Sequence, residues 1–257
     1  MLLVIDVGNT NVAIGVYVGD QLRARWRFAT DVRKTPDEYA VLLRGMLPPS
    51  GIPLDAITDV ILSSVVPPLI GTMIQVCEQL FRLRPLVVEA GIRTGIRIVS
   101  EQPREVGADR IANAVGAVRT YGGPAIVVDF GTATTFDAIS KEGDYLGGAI
   151  APGIGIASEA LFAHAAKLPR IDLVRPKSVI GRNTVTAMQA GIIFGYVGLV
   201  DGLVERIKRE LGGEATVIAT GGLAEIIARE STTIAIVDHD LTLTGLYHLY
   251  HLNRSPA

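Results

Sequence analysis

The chain opens on an uninterrupted apolar run, Leu2-Leu3-Val4-Ile5, which ends in Asp6-Val7-Gly8-Asn9-Thr10. The same design returns at Ala125-Ile126-Val127-Val128, which ends in Asp129-Phe130-Gly131-Thr132-Ala133-Thr134; Asp129 stands 123 positions after Asp6 (129 − 6), almost half the chain. Short apolar runs bounded by turn residues are the pattern of strands buried on both faces. In each copy a second apolar-rich run follows and closes on a polar turn, Gly19-Asp20 or Gly143-Asp144. Both copies therefore predict a β-hairpin whose turn carries Asp-x-Gly. A weaker correspondence links Val60-Ile61-Leu62-Ser63-Ser64-Val65 with Val217-Ile218-Ala219-Thr220-Gly221-Gly222, each an apolar strand opening onto small or hydroxyl residues.

Helical patterns separate these strands. Thr35 reads as an N-cap with Pro36 at the first helical position, and Tyr39, Leu42, Leu43 and Met46 form one apolar face. Further helices are expected from Pro68 to Phe81, from Ala108 to Tyr121 and from Ala187 to Leu211. Strands alternating with helices place the chain in the α/β class. The turn-rich break Gly122-Gly123-Pro124 sets the expected boundary, giving halves 1–122 and 123–257, with no low-complexity linker between them.

Composition narrows the function. Hydrophobic residues make up 49% and charged residues 19%, which suits a globular chain. The net charge of −2 supplies no general attraction to nucleic acid or anionic lipid, so any bound anion needs local groups. The one cysteine, Cys77, excludes an internal disulfide and a Cys-based zinc site, and its apolar neighbours point to a buried, inert thiol. Two uncharged runs, 60–77 and 183–200, carry polar residues, prolines or glycines and read as buried elements rather than membrane spans. The N-terminus lacks the basic start of a signal peptide, so a cytoplasmic location is expected.

Twenty-eight glycines matter through where they cluster. Gly8 allows a tight turn, Asn9, Thr10 and Asn11 add donors, and successive turn amides can form an anion-binding nest. Asp6 offers a carboxylate to Mg²⁺, which takes one or two carboxylates beside phosphate oxygens. A lone loop of this kind reads rather as a hairpin turn with a self-capping Asp. Its duplicate at Asp129-Phe130-Gly131-Thr132 favours a nucleotide clamped between two halves. Neither loop is a Walker A sequence or a dinucleotide fingerprint. Thr220-Gly221-Gly222, after its strand, either admits adenosine or phosphate or is an ordinary strand-to-helix turn. Gly147 to Gly153 reads as a second glycine-dense loop, an interdomain contact or a ligand wall.

Gly107-Ala108-Asp109-Arg110 opens a helix, with a carboxylate and a guanidinium beside the positive end of its dipole. Asp109 is a candidate to accept a hydroxyl proton and Arg110 to hold a carboxylate, although the bare sequence favours a capping carboxylate with a surface ion pair. His164, His239, His248 and His251 form no ligand set and are expected to pack or lie on the surface.

Together these motifs resemble the type III pantothenate kinase family from end to end. Asp6-x-Gly8-Asn9-Thr10 is similar to its first phosphate loop, Pro103-Arg104-Glu105-Val106-Gly107-Ala108-Asp109-Arg110 to its pantothenate segment, and Asp129-x-Gly131-Thr132-Ala133-Thr134 to its second phosphate loop. Gly148-Ala149-Ile150-Ala151-Pro152-Gly153, Lys167-Leu168-Pro169, Gly181-x-Asn183-Thr184 and Ala219-Thr220-Gly221-Gly222 match in the family's order.

The resemblance implies two related actin-like (ribonuclease H-like) halves, each a mixed β-sheet with flanking helices, and a nucleotide cleft between them. It implies transfer of the ATP γ-phosphate to the primary hydroxyl of pantothenate, the first step of coenzyme A synthesis. Asp109 would be the general base, and Gly107, Ala108, Asp109, Arg110 and Thr184 would bind substrate. Asp6, Val7, Gly8, Asn9, Thr10, Asn11, Val12 and Ala13 would hold the ATP phosphates with Mg²⁺, and Thr132 and Gly221 would contact ATP. Asp129 would hold a monovalent cation, K⁺ or NH₄⁺, and the chain would form a homodimer. Some members carry Tyr where this chain has Ser100, which removes an aromatic wall there. Two other readings are a ligand-sensing regulator on the same fold and an actin-like kinase of another small hydroxy compound; Gly107 to Arg110 argue against the second.

Overall fold

The structure, a computed structural model, describes residues 1–254; residues 255–257, the end of the expected second half, lie outside the described residues. The first sheet is built from β1 (Leu2–Val7), β2 (Asn11–Val18), β3 (Gln21–Ala29), β4 (Asp59–Ser64) and β5 (Leu86–Val87) in the order β3-β2-β1-β4-β5. Its helices are α1 (Pro36–Met46), α2 (Pro67–Phe81) and α3 (Ala108–Tyr121). The second sheet comprises β6 (Ala125–Phe130), β7 (Ala133–Ile139), β8 (Tyr145–Pro152), β9 (Thr216–Gly221) and β10 (Ile236–Val237), with helices α4 (Ile154–His164), α5 (Thr184–Glu210) and α6 (Ala224–Ala228). Helix α7 (Leu241–Asn253) follows.

The second sheet runs β8-β7-β6-β9-β10, the order of the first in its own strands. In each, the Asp-bearing strand is central, antiparallel to its hairpin partner and parallel to the strand after the insertion. The weak correspondence thus has a register: Asp6 pairs with Ser63 on β4, and Asp129 pairs with Thr220 on β9. Leu3, Val4 and Ile5, like Ile126, Val127 and Val128, are fully buried, as continuous apolar runs at a sheet centre should be. Edge strand β3 alternates, and its exposed Arg23, Arg25 and Arg27 guard an edge open to unwanted pairing.

In the first unit, Ile5, Val7, Ile14 and Leu62 pack beneath Tyr39 and Leu43 of α1 and Leu69 and Met73 of α2. Thr35 caps α1 through a capping box with Glu38, as its sequence predicts. Cys77 lies in this core, where burial pushes its thiol up to about 12. Helix α7 packs on β1, β2 and β4 and meets α3 at the glycine contacts taken up below. His248 and His251 stack edge-on against Tyr247, and burial, followed by nearby arginines, lowers both. In the second unit, Ile126, Val128 and Phe136 pack against Ile192, Tyr196 and Val200 of α5.

Three expectations change. The compact units are 1–95 with 102–119 and the chain from Leu241 onward, and 96–101 with 120–240. Helix α7 therefore belongs with the first sheet, because its apolar face is seated there, and not with the half 123–257. Gly147 to Pro152 form strand β8 rather than a loop; Gly147, at φ 115°, adjoins a bulge where the β7–β8 register shifts. Helix α5 begins three residues before Ala187, since Asn183 and Thr186 make a capping box that starts it at Thr184. Its 27 residues are long and apolar enough to cross a membrane, yet one face is committed to the core of the second unit.

Candidate active site

The first loop is shaped by its own backbone. Gly8 N–H donates to the Asn11 carbonyl at 2.9 Å, closing a tight turn, and a Cβ on Gly8 would meet that oxygen at 3.1 Å. Asp6 is the penultimate residue of β1, so its carboxylate stands at the carboxyl end of the central strand, the edge where ligands bind in α/β sheets. Val12 and Ala13 belong to β2, Val12 in the core and Ala13 opposite Asp6 in the antiparallel pairing. Val65 joins this loop to the next motif. Its N–H donates to the Val7 carbonyl at 3.1 Å, and its Cγ1 lies 3.7 Å from a Cβ built on Gly107.

Gly107 precedes α3 and leaves room for Asp109, whose Oδ1 would lie 2.6 Å from a Cβ at that position. Asp109 accepts the Arg110 N–H at 2.8 Å, so the carboxylate partly caps its own helix. Burial raises its pKa; the Arg110 N–H bond and the Arg110 charge oppose that shift and do not cancel it. A carboxyl held above the usual range is better matched to taking a proton near neutrality than an exposed one. Asp6, Gly8, Gly107, Ala108, Asp109 and Arg110 all lie in the first unit.

The second loop is packed backbone to backbone. A Cβ on Gly153, at the β8–α4 junction, would lie 2.1 Å from the Thr132 carbonyl. One on Gly221, at φ 92°, would lie 2.7 Å from Asp129 Oδ1 and 2.7 Å from the Phe130 carbonyl. Gly221 and Gly153 therefore both adjoin the Asp129–Thr132 loop. Thr184 is the exposed first residue of α5 and lies in the second unit, whereas Gly107 to Arg110 lie in the first. Ser100 also lies in the second unit, with a buried Oγ that makes no hydrogen bond within the protein.

Sequence reasoning missed Val65 and Thr30. Val65 stood in plain view at the end of an apolar strand, but only the parallel pairing of β1 with β4 brings it to the loop. Thr30 carried no motif at all. Among the described residues no group of three or more His, Cys, Asp and Glu is placed to hold a metal unaided. One carboxylate per loop still fits Mg²⁺ that arrives with phosphate oxygens, and would fit K⁺.

The profile of the type III pantothenate kinase family matches residues 2–206. A Moorella thermoacetica protein named type III pantothenate kinase is 55% identical over 253 residues, 98% of this chain and 100% of that one. One of the same name from Bacillus cytotoxicus is 54% identical, over 98% and 97%. Among solved structures, a Sinorhizobium meliloti protein assigned as a 2-dehydro-3-deoxygalactonokinase has a TM-score of 0.59 at 14% identity, covering 100% of this chain and 98% of its own. That likeness concerns the fold alone, a pair of mixed five-stranded sheets with flanking helices. With its two duplicated loops, that fold and near full-length identity above one half, the chain belongs to the type III pantothenate kinase family.

Proposed function

We propose that this kinase transfers the γ-phosphate of ATP to the primary hydroxyl of pantothenate, giving 4'-phosphopantothenate and ADP, the opening step of coenzyme A synthesis. The observation that carries the reading is the contiguity, within one unit, of the Asp6–Ala13 loop, Val65 and Gly107–Arg110. Asp109 takes the hydroxyl proton as the pantothenate oxygen attacks the γ-phosphorus. The bond from that phosphorus to the β–γ bridging oxygen breaks, and ADP leaves. Phosphoryl transfer depends mainly on positioning and on charge stabilisation, which amide-rich loops supply. Gly107, Ala108 and Arg110 hold pantothenate, Arg110 through the pantothenate carboxylate. Asp6 to Ala13 hold the nucleotide's phosphates. Mg²⁺, when bound, draws charge from the phosphate oxygens, and Asp6 is the residue that would hold it.

Asp129 is proposed to hold K⁺ or NH₄⁺ beside the second loop; Gly221, without a side chain, leaves space that Asp129 Oδ1 and the Phe130 carbonyl oxygen both border, which supports this. A coupled ADP assay is expected to show release that requires pantothenate and is faster with K⁺ than with Na⁺ alone. Asp129→Ala should weaken both K⁺ activation and ATP affinity. ADP release indifferent to pantothenate would overturn the substrate. Equal K⁺ activation in mutant and parent would overturn the cation site.

We also propose a homodimer formed through the second unit. Ile150, Ile156, Phe162, Val179, Ile180 and Val185 are all exposed there, large apolar side chains that a partner subunit would cover. On α5, Gly191, Gly195 and Gly198 face open space, so a partner helix can approach closely. Sedimentation at micromolar concentration should give twice the 27.3 kDa chain mass. A single species of chain mass would refute the dimer.

A further inference from the structure

An anion-binding loop has a problem beyond supplying amides, because its own carbonyl oxygens repel the anion unless they are turned away. Within the Gly8–Asn11 turn of the first loop three carbonyls are engaged: Asn11 O accepts from Gly8 N–H, and those of Gly8 and Thr10 are taken by one residue outside the motif. Thr30, the residue after β3, donates its hydroxyl to Gly8 O at 2.7 Å and its amide to Thr10 O at 2.9 Å. Thr30 is itself fixed. β3 pairs with β2 through Ala29 and Asn11, and the next residue, Asp31, is clamped by Tyr39, whose Oη donates to Asp31 O at 2.9 Å and accepts from Asp31 N–H at 3.1 Å. Tyr39 has no exposed surface and lies in the core of the first unit. The β3–α1 turn is thus a bracket, anchored in the core, that carries Thr30 to the loop.

We infer that Thr30 is a positioning residue for phosphate recognition: its hydroxyl and amide hold the Gly8 and Thr10 carbonyls back, so that the first loop receives the nucleotide's phosphates. The inference rests on the reading of residues 6–13 as a phosphate loop. The role belongs to the phosphate part of the nucleotide and not to adenosine, which separates it from a general contribution to folding.

The test is calorimetric binding of two probes, ADP with Mg²⁺ and adenosine, to the full chain, with KM values alongside. Thr30→Val keeps the shape and removes the hydroxyl, leaving the Gly8 carbonyl untethered. It is expected to weaken ADP roughly five- to tenfold, the worth of one hydrogen bond, to raise the ATP KM similarly and to leave adenosine binding and the pantothenate KM unchanged. Thr30→Ser, which keeps the hydroxyl, should restore parental values. If Thr30→Val does not fold, Thr30→Ala is read the same way. Equal losses for ADP and adenosine, or no rescue by Thr30→Ser, would overturn the inference. Gly8→Ala, which crowds Asn11 O, tells two failures apart. If it weakens ADP while Thr30→Val does not, Thr30 has no such role; if neither weakens ADP, the phosphate-loop reading itself falls and takes the inference with it.

Discussion

Asp109→Asn is expected to lower kcat by roughly 10²–10⁴-fold, the usual contribution of a general base, while ATP binding stays near parental. The substitution is nearly isosteric, and the amide oxygen can still accept the Arg110 N–H that Asp109 Oδ1 accepts at 2.8 Å. Stability should not fall with activity. Burial holds the Asp109 pKa above its ordinary value. A raised folded-state pKa means that the stability contribution is present below the unfolded-state value and is lost as pH rises through the folded one. At neutral pH the ionised carboxylate therefore costs stability, and the uncharged amide removes that cost. A melting temperature equal to or above the parent's, with turnover nearly abolished, is the expected pair of results. The same pKa predicts that kcat falls on acidification beginning above the ordinary carboxylate range, where the base becomes protonated. Parental turnover in the purified variant would remove Asp109 from the mechanism.

Gly245→Ala carries the largest expected effect on stability. A Cβ at Gly245 of α7 would lie 1.8 Å from the carbonyl oxygen of Ala112 on α3, and one at Gly116 of α3 would lie 2.6 Å from Leu241 O. The two helices meet backbone to backbone, with no flexible side chain to yield, so one helix must shift. Overpacking of this kind costs about 3 kcal/mol, a fall of roughly 6–12 °C in melting temperature for a chain of this size. Because Ala112 lies one turn beyond Asp109, turnover should fall as well. Gly71→Ala is the control. It lies on the exposed face of α2 with nothing within 4 Å of the added carbon, and helix propensity favours the change by up to about 1 kcal/mol. Identical melting of the two variants would show that the α3–α7 contact does not bear on stability.

The duplicated Asp-x-Gly hairpins were legible because a strand buried on both faces leaves an unbroken apolar run, and a turn that must approach an anion is written in glycine and small polar residues. Helix α1 was legible for a similar reason, since its capping box and the Pro at its first position fix its start. The β8 strand was not. Gly147, Gly148 and Ala149 have low strand propensity, and the pairing with β7 that forms the strand is a contact set by chain topology. The seat of α7 was hidden as well, since its apolar residues show that it packs but not where. Thr30 and Val65 reached the candidate site the same way, carried by strand order from positions far from the loop they touch. The residues proposed to meet the nucleotide carry motifs, whereas residues that hold those motifs in place are ordinary in sequence and show themselves only through pairing.

The seat of α7 on the first sheet orders events during synthesis. The second unit, residues 120–240 with the strap 96–101, is complete before the helix has been made, while the older sheet still lacks one of its covers. The portion translated first is therefore the last to close, and until then the face of β1, β2 and β4 that α7 covers stays open.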